Sequence, residues 1–343
     1  MKKILVLALA LAIVLSLAAC GEKEENPYAK LEPVTLVCAD NTGEGSAGRL
    51  FGEYFAQRVL DLTEGKLTID YRPGGALGGD LDLIDKMQTN EIQLVICQTA
   101  PIVSAVPEMA VFDLPLAFTG VDGDKIDAVL NGENEVRAAL DKAYEAAELH
   151  LLGFLQNGTY RLTTANRPLS TLEDFAGLRI RTMENDNHAA FWAALGAEPT
   201  ALPWAEVYAA LQSGRLDAEE NAADTVYSAE LYEVQSCLGR TEHSLYCNQI
   251  CINAAAWDGL DPAYKDAVAQ AAAEAIAYVR PLMSAVDAHH TKKLTDSGMQ
   301  LIRYDAAFYD SVLALDGVRA LYEDIDANQT GGLGSLLMKS LGK

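Results

Sequence analysis

The sequence predicts an α/β protein whose core is split over two lobes, and three observations carry that expectation. Apolar, β-branched runs alternate with helical patterns from Val34 onward, the order that builds a parallel sheet. Half of the 343 residues are hydrophobic, ample material for a sizeable core and more than one unit of it. An alanine-rich helical pattern opens at Asp261-Pro262 and runs to about Lys293, beyond the usual globular length. Pro281 lies inside it and predicts a kink, since the ring removes one backbone hydrogen bond and clashes with the preceding turn.

Charge narrows the function classes. The chain carries 26 Lys plus Arg against 49 Asp plus Glu, a formal charge of -23, which makes it a poor candidate for nucleic acid, since that calls for a basic face. Such acidity reads as a solvated surface that keeps the protein soluble. Lys2 and Lys3 followed by the unbroken apolar run Ile4 to Leu15 read as a targeting segment, too short for a good transmembrane span. Leu17-Ala18-Ala19-Cys20 resembles a lipobox, so residues 1–19 are expected to be a lipoprotein signal peptide and Cys20 to carry lipid. Residues 20–33 are charged, with Pro27 and Pro33, and read as a lipid-anchored tether. The rest is therefore expected at the outer face of the cytoplasmic membrane.

Five cysteines remain, Cys38, Cys97, Cys237, Cys247 and Cys251, an odd number that cannot all pair within one chain. Cys247 and Cys251 share the strand-like run Tyr246 to Asn253, where positions four apart are too distant to bond without a bend. Buried free thiols are the expected state. The five histidines show no zinc-ligand spacing.

Along the chain, Val34 to Val37 predicts a first strand, followed by the polar loop Asp40 to Ser46. Leu50, Phe51, Tyr54, Phe55, Val59 and Leu62 recur at helical spacing, Gly65 ends that helix, and Leu67 to Tyr71 is the next strand. The glycine loop Gly74 to Gly79 reads as a tight turn, because the lysine and hydroxyl of a phosphate loop are missing, and Asp80 is a natural N-cap. Ile92 to Cys97 predicts a strand, Phe112 to Leu116 an extended segment, and Lys125 to Leu151 a mostly helical region. Gly153 to Leu155 and Gly158 to Thr164 read as extended. His188, Phe191, Trp192 and Leu195 mark one buried helix face, and Trp204, Val207, Tyr208 and Leu211 another. Asp217 to Asn221 reads as a polar turn, Leu245 to Asn253 as a strand, and Phe308 to Ile325 as a last amphipathic helix loosened after Gly331-Gly332.

The stretch that organises the chemistry is Gly177 to Asn221. In Gly-Leu-Arg-Ile-Arg-Thr, Leu178 and Ile180 point to one face of a short strand and Arg179 and Arg181 to the other. Ligands in open α/β sheets collect at such strand ends. Arg161 stands on a neighbouring extended segment, and a guanidinium fork matches a carboxylate with two parallel hydrogen bonds. For a lone arginine in an acidic chain, a surface ion pair is the competing reading.

Gly-Leu-Arg-Ile-Arg, together with Leu-Gly-Ala-Glu-Pro, Pro-Trp-Ala-Glu-Val-Tyr and Asp-Ala-Glu-Glu-Asn, resembles the signature of TRAP (tripartite ATP-independent periplasmic) solute-binding proteins, the dicarboxylate-binding DctP family. The resemblance covers about Val34 to Ile325. It implies a two-lobed, type II-like periplasmic-binding-protein fold with the long kinked helix spanning both lobes. By analogy, lobe one takes residues 34–158 plus 247–286 and lobe two 159–246 plus 287–335, leaving 336–343 as a tail. In the family the second arginine of the strand, here Arg181, grips an organic-acid carboxylate. Arg161 matches a second basic contact, Trp204 an aromatic residue against the ligand, and Asn221 a hydrogen-bonding partner of the carboxylate region. Asp80 and Asn41 match further polar contacts.

Two positions depart from the pattern. Ala218 replaces the usual glycine, and Gln98 stands where sialic-acid binders carry glutamate, which argues against a sialic-acid ligand. The implied function is an extracytoplasmic receptor that needs no cofactor, captures an organic acid and presents it to the TRAP permease membrane subunits. A binding lipoprotein of another importer, or a ligand-sensing receptor, would use the same anchor. No Gly-x-Ser-x-Gly elbow or His-Glu-x-x-His run occurs, so an enzyme is not expected.

Overall fold

A computed structural model describes residues 26–343, so the expectations for the signal peptide, Cys20 and the start of the tether lie outside the described residues. Eleven strands form among the described residues: β1 Val34–Asp40, β2 Leu67–Arg72, β3 Leu94–Gln98, β4 Leu149–Leu155, β5 Leu162–Ala165, β6 Arg179–Thr182, β7 Glu198–Ala201, β8 Ala218–Asn221, β9 Cys237–Gly239, β10 Asn248–Asn253 and β11 Gln300–Ile302. They make two sheets, β2-β1-β3-β10-β4 and β11-β9-β5-β8-β6-β7.

In the first sheet β1 lies between two parallel neighbours, with Val34 opposite Leu67 and Cys38 opposite Leu94. The helix Ala47–Leu62 connects β1 to β2 and buries Phe51, Phe55 and Val59, the stripe read from the sequence. Ser46 caps it by accepting the Arg49 N–H at 3.2 Å. β10 returns from far along the chain and pairs antiparallel with both β3 and β4. In the second sheet β6 is parallel to β7 and β8, whereas β5 is antiparallel to β8 and β9.

The chain crosses between the sheets on paired extended segments. Tyr160 and Leu245 form an isolated antiparallel bridge, Arg161 N–H donates to Ser244 at 2.9 Å, and Tyr246 N–H donates to Thr159 at 2.9 Å. The third crossing is the helix Pro262–Asp296, capped by the Asp261 carboxylate and running through Pro281. Its residues from Tyr264 to Met283 share a core with Phe51, Phe55 and Ile250, while Leu294 lies in the second core with Val207 and Leu238. One helix thus spans both lobes. All five described cysteines are buried and free.

Several elements differ from the sequence reading. Lys125 to Leu151 is two helices, Gly123–Asn131 and Glu135–Ala146, followed by β4. The break is Asn134, whose Oδ1 caps the second helix while its Nδ2 closes the first by donating to Val129 O at 2.9 Å. Phe112 lies not in an extended run but at the end of a 3-10 turn, Pro107–Asp113. Phe308 to Ile325 divides into Ala306–Leu313 and Asp316–Glu323, because Leu315 turns extended and restarts the helix. Residues after Gly332 do not loosen into a tail. They form the helix Leu333–Leu341, and Leu337 and Leu341 are buried. Asp80 is not a cap either: Gly79 holds that position and Asp82 reaches back to its N–H at 3.1 Å.

Candidate functional site

The site forms where loops of the first sheet face strand ends of the second. β6 follows a left-handed Gly177 (φ 67) and is buried from Ile180 on. Ile180 is paired with Ala218 of β8, and both sit in one hydrophobic core, so Arg181 is delivered to the opposite face. Arg179, at the exposed start of the strand, makes the surface ion pair with Asp217, its Nε donating at 2.8 Å. Arg181 is only 3% exposed.

A cavity of about 50 Å³ opens in front of it. That is several times the roughly 10–15 Å³ one water needs. Of the seven residues singled out in the sequence, Arg181, Asn221, Trp204, Asp80, Gln98 and Asn41 all line this cavity. Arg161 does not. It is buried one layer behind, with Nη2 donating to Glu220 Oε1 at 2.9 Å and to the Glu220 carbonyl at 2.7 Å. Its Nε also bonds Glu220, and its Nη1 bonds the Gln98 side-chain oxygen. With its donors so engaged, Arg161 reaches the cavity only through Gln98.

Arg181 is held differently. Its Nε donates to the Leu202 carbonyl at 2.9 Å, and its guanidinium carbon lies 5.4 Å from the centre of the Trp204 ring. Among the described residues no carboxylate oxygen lies within 4.0 Å of the guanidinium. Burial works against its charge, and Arg161 adds to that, while the Glu220 and Glu219 carboxylates favour it. A buried cation without a close partner costs several kcal/mol. The arrangement leaves a buried guanidinium facing the cavity without a close counter-ion among the described residues.

The other side of the cavity is polar and partly acidic. Burial pushes the half-buried Asp80 carboxyl up to about 6, with Asp40 adding to the rise and Arg181 and Asn41 opposing it. Asn41 is placed by the glycine loop: Gly75 N–H donates to the Asp40 carbonyl at 2.8 Å, and a Cβ on Gly75 would stand 2.7 Å from Asn41 Oδ1. Gly75 also has φ 72, so a side chain there is excluded twice. The loop is the tight turn expected, and its use is to seat Asn41.

Beneath the site runs a charge network that the sequence reading missed. Residues 217–221 are not a polar turn; Ala218–Asn221 is a fully buried strand. Glu220 accepts from Arg161 and lies 3.1 Å from His243 Nε2 and 3.7 Å from His188 Nδ1. His188 Nε2 is in turn 3.2 Å from Asp113. Burial opposes a charge on His188, yet Asp113 and Glu220 outweigh it and hold the ring up to about 9. Burial pushes the Glu220 carboxyl upward, but Arg161 and both histidines prevail and hold it well below the usual range. Tyr246 and Asn248 also line the cavity and were not singled out. Their period-two spacing, which puts Tyr246 and Asn248 on one face of an extended run, is the signal that could have found them.

Two lobes around a cleft that holds a buried arginine without a close ion-pair partner among the described residues define a solute-binding protein. The chain belongs to the bacterial extracellular solute-binding protein family 7, DctP, whose profile matches residues 39–311. This is the family of TRAP solute-binding proteins, which are extracytoplasmic receptors and not enzymes. The 2,3-diketo-L-gulonate-binding periplasmic protein YiaO of Escherichia coli is 27% identical over 261 residues, 76% of this chain and 78% of the relative. A TRAP periplasmic solute-binding protein from Polaromonas bound to D-erythronate superposes with a TM-score of 0.81 at 25% identity, covering 89% of this chain and 98% of that one. The sugar acid binding protein of Advenella mimigardefordensis, in complex with galactonate, shares the fold with a TM-score of 0.83 at 24% identity, covering 91% and 98%.

Proposed function

We propose that this protein captures a small carboxylate-bearing molecule between its lobes, Arg181 gripping the carboxylate, and delivers it to the membrane subunits of a TRAP permease. The supporting observation is the buried Arg181 guanidinium facing the cavity with no carboxylate within 4.0 Å among the described residues. Trp204 packs the guanidinium in place, Asn221 and Gln98 bond the ligand near its carboxylate, and Asn41 and Asp80 bond its far end. Arg161 acts behind Gln98. The lobes take residues 34–158 plus 247–286 and 159–246 plus 287–335, and close on the ligand by a hinge at the paired crossings. Lipid on Cys20 holds the receptor at the outer face of the cytoplasmic membrane, and Cys20→Ala releases it or leaves it unprocessed. Retention of a processed Cys20→Ala protein on membranes contradicts the anchor.

The cavity lining presents the Arg181 cation and the Asp80 carboxylate. A second ligand carboxylate would meet that acid and be repelled, whereas a hydroxyl would donate to it. The ligand class is therefore a hydroxylated monocarboxylate. A thermal-shift screen with galactonate, erythronate, glucuronate, succinate and simple keto acids tests this, because a bound ligand stabilises by RT ln(1 + [L]/Kd). Galactonate or a similar hydroxy acid is expected to raise Tm, and succinate to raise it less. Stabilisation by succinate alone contradicts the class, and stabilisation by no acid contradicts the reading.

A further inference from the structure

Glu219 has entered so far only through its effect on the Arg181 charge, and its position gives it a further part. It is fully buried on β8, and alternation along that strand puts Glu219 and Asn221 on one face and Ala218 and Glu220 on the other. Ala218 and its β6 partner Ile180 share a core, so Glu219 lies on the same side of the sheet as Arg181. Its Oε1 accepts from Thr164 Oγ1 at 3.2 Å, while Oε2 is buried without a hydrogen-bond partner. Neither oxygen comes within 4.0 Å of the Arg181 guanidinium, so the two are neighbours and not a closed ion pair.

We infer that Glu219 is a positioning residue that links anion capture at Arg181 to uptake of a proton. This rests on the proposed role of Arg181 as carboxylate anchor. An ionised Glu219 offsets the Arg181 charge from behind and weakens its hold on an incoming carboxylate. A protonated Glu219 leaves that charge to the ligand, and its new O–H is the one donor that a buried carboxyl group can offer. By linkage, a bound carboxylate beside Arg181 raises the proton affinity of Glu219 in turn.

The charged surroundings place the transition near neutrality. Burial raises the Glu219 carboxyl most, Glu220 on its own strand raises it further, and Arg181 from β6, Arg161 ahead of β5 and the Thr164 hydroxyl pull it back, leaving it at about 7. Glu220 and Asp80 also bear on the same guanidinium, Glu220 held ionised by Arg161 and the two histidines, and Asp80 raised by burial to about 6. A glutamine at 219 keeps the shape and the Thr164 contact and removes the proton.

The experiment is calorimetric titration of galactonate, glucuronate and succinate into wild type, Glu219→Gln and Asp80→Asn at pH 6, 7 and 8, in paired buffers of different ionisation enthalpy. Wild type is expected to bind roughly tenfold more tightly at pH 6 than at pH 8, the effect of one opposite charge on a neighbouring group, and to take up a fraction of a proton at pH 7. Glu219→Gln is expected to bind at pH 8 as wild type does at pH 6, with the uptake gone. Asp80→Asn is expected to keep most of it. Binding without proton uptake, or uptake that survives in Glu219→Gln and vanishes in Asp80→Asn, overturns the assignment to Glu219 while leaving Arg181 as the anchor. Absence of binding by all three acids at every pH, in all three proteins, overturns both.

Discussion

The guanidinium of Arg181 lies against the indole of Trp204, 5.4 Å from carbon to ring centre, while its Nε is tied to the carbonyl of Leu202 two residues before the tryptophan. Both restraints come from the segment that ends β7 and opens the helix Trp204–Gln212. The arginine is thus held on its inner edge and on one side, and its remaining donors face the cavity. On the proposed role of Arg181, a carboxylate entering the cleft would find a fork already oriented, with little side-chain ordering left to oppose binding.

Trp204→Ala removes the face that holds the fork. Cation–π contact contributes about 0.5–2 kcal/mol depending on desolvation. Affinity for a hydroxy acid that stabilises the protein is expected to fall roughly two- to thirtyfold. Trp204→Phe is expected to recover part of it. Titration of both variants measures this, and equal loss in Ala and Phe means the ring does not act through its face.

Arg161→Ala is expected to act first on stability. It strands Glu220, buried with two histidines, and breaking a buried pair by removing one partner costs about 3–5 kcal/mol. Removing both charges with Arg161→Met and Glu220→Met together is expected to unfold at a higher temperature than Arg161→Ala alone. Thermal denaturation of the variants without added acid measures it. A Tm for Arg161→Ala equal to wild type shows that the pair holds nothing together.

His188 gives the fold its own pH dependence. The folded ring, held up to about 9 by Asp113 and Glu220 against burial, binds its proton more tightly than an unfolded histidine near 6.5. The stability it contributes is complete below the unfolded value and is lost as pH rises through the folded one. Tm is therefore expected to decline between pH 7 and 10 in wild type, and less steeply in His188→Gln. A parallel decline in the two proteins assigns the loss to other groups.

Much of this was legible in the residues. β1, β2 and β3 are apolar runs of ordinary length, and the strand carrying Arg181 is bounded by a glycine and by a helix with its own cap, Asn185. The long helix declares both its start, at Asp261-Pro262, and its proline. What escaped had tertiary causes. Glu219 and Glu220 look like a solvated turn until Arg161, His188 and His243, distant along the chain, are folded around them. β7, β9 and β11 are three or four residues long, too short to show a period, and they exist because neighbouring strands pair with them. The helix Leu333–Leu341 follows two glycines that resemble a loose end and instead serve as its left-handed entry, at φ 58 and 92. Arg161 and Arg181 read as lying on neighbouring extended segments, but the fold puts β8 between their strands and Gln98 between Arg161 and the cavity.

The measurement that reaches the centre of the account is titration of Arg181→Ala, beside wild type, with the acid that most stabilises the protein. Loss of a desolvated charge pair costs about 2–5 kcal/mol, so the variant is expected to bind roughly 30- to 5000-fold more weakly while keeping its fold by circular dichroism. A folded Arg181→Ala protein with wild-type affinity would contradict the assignment of Arg181 as the carboxylate anchor.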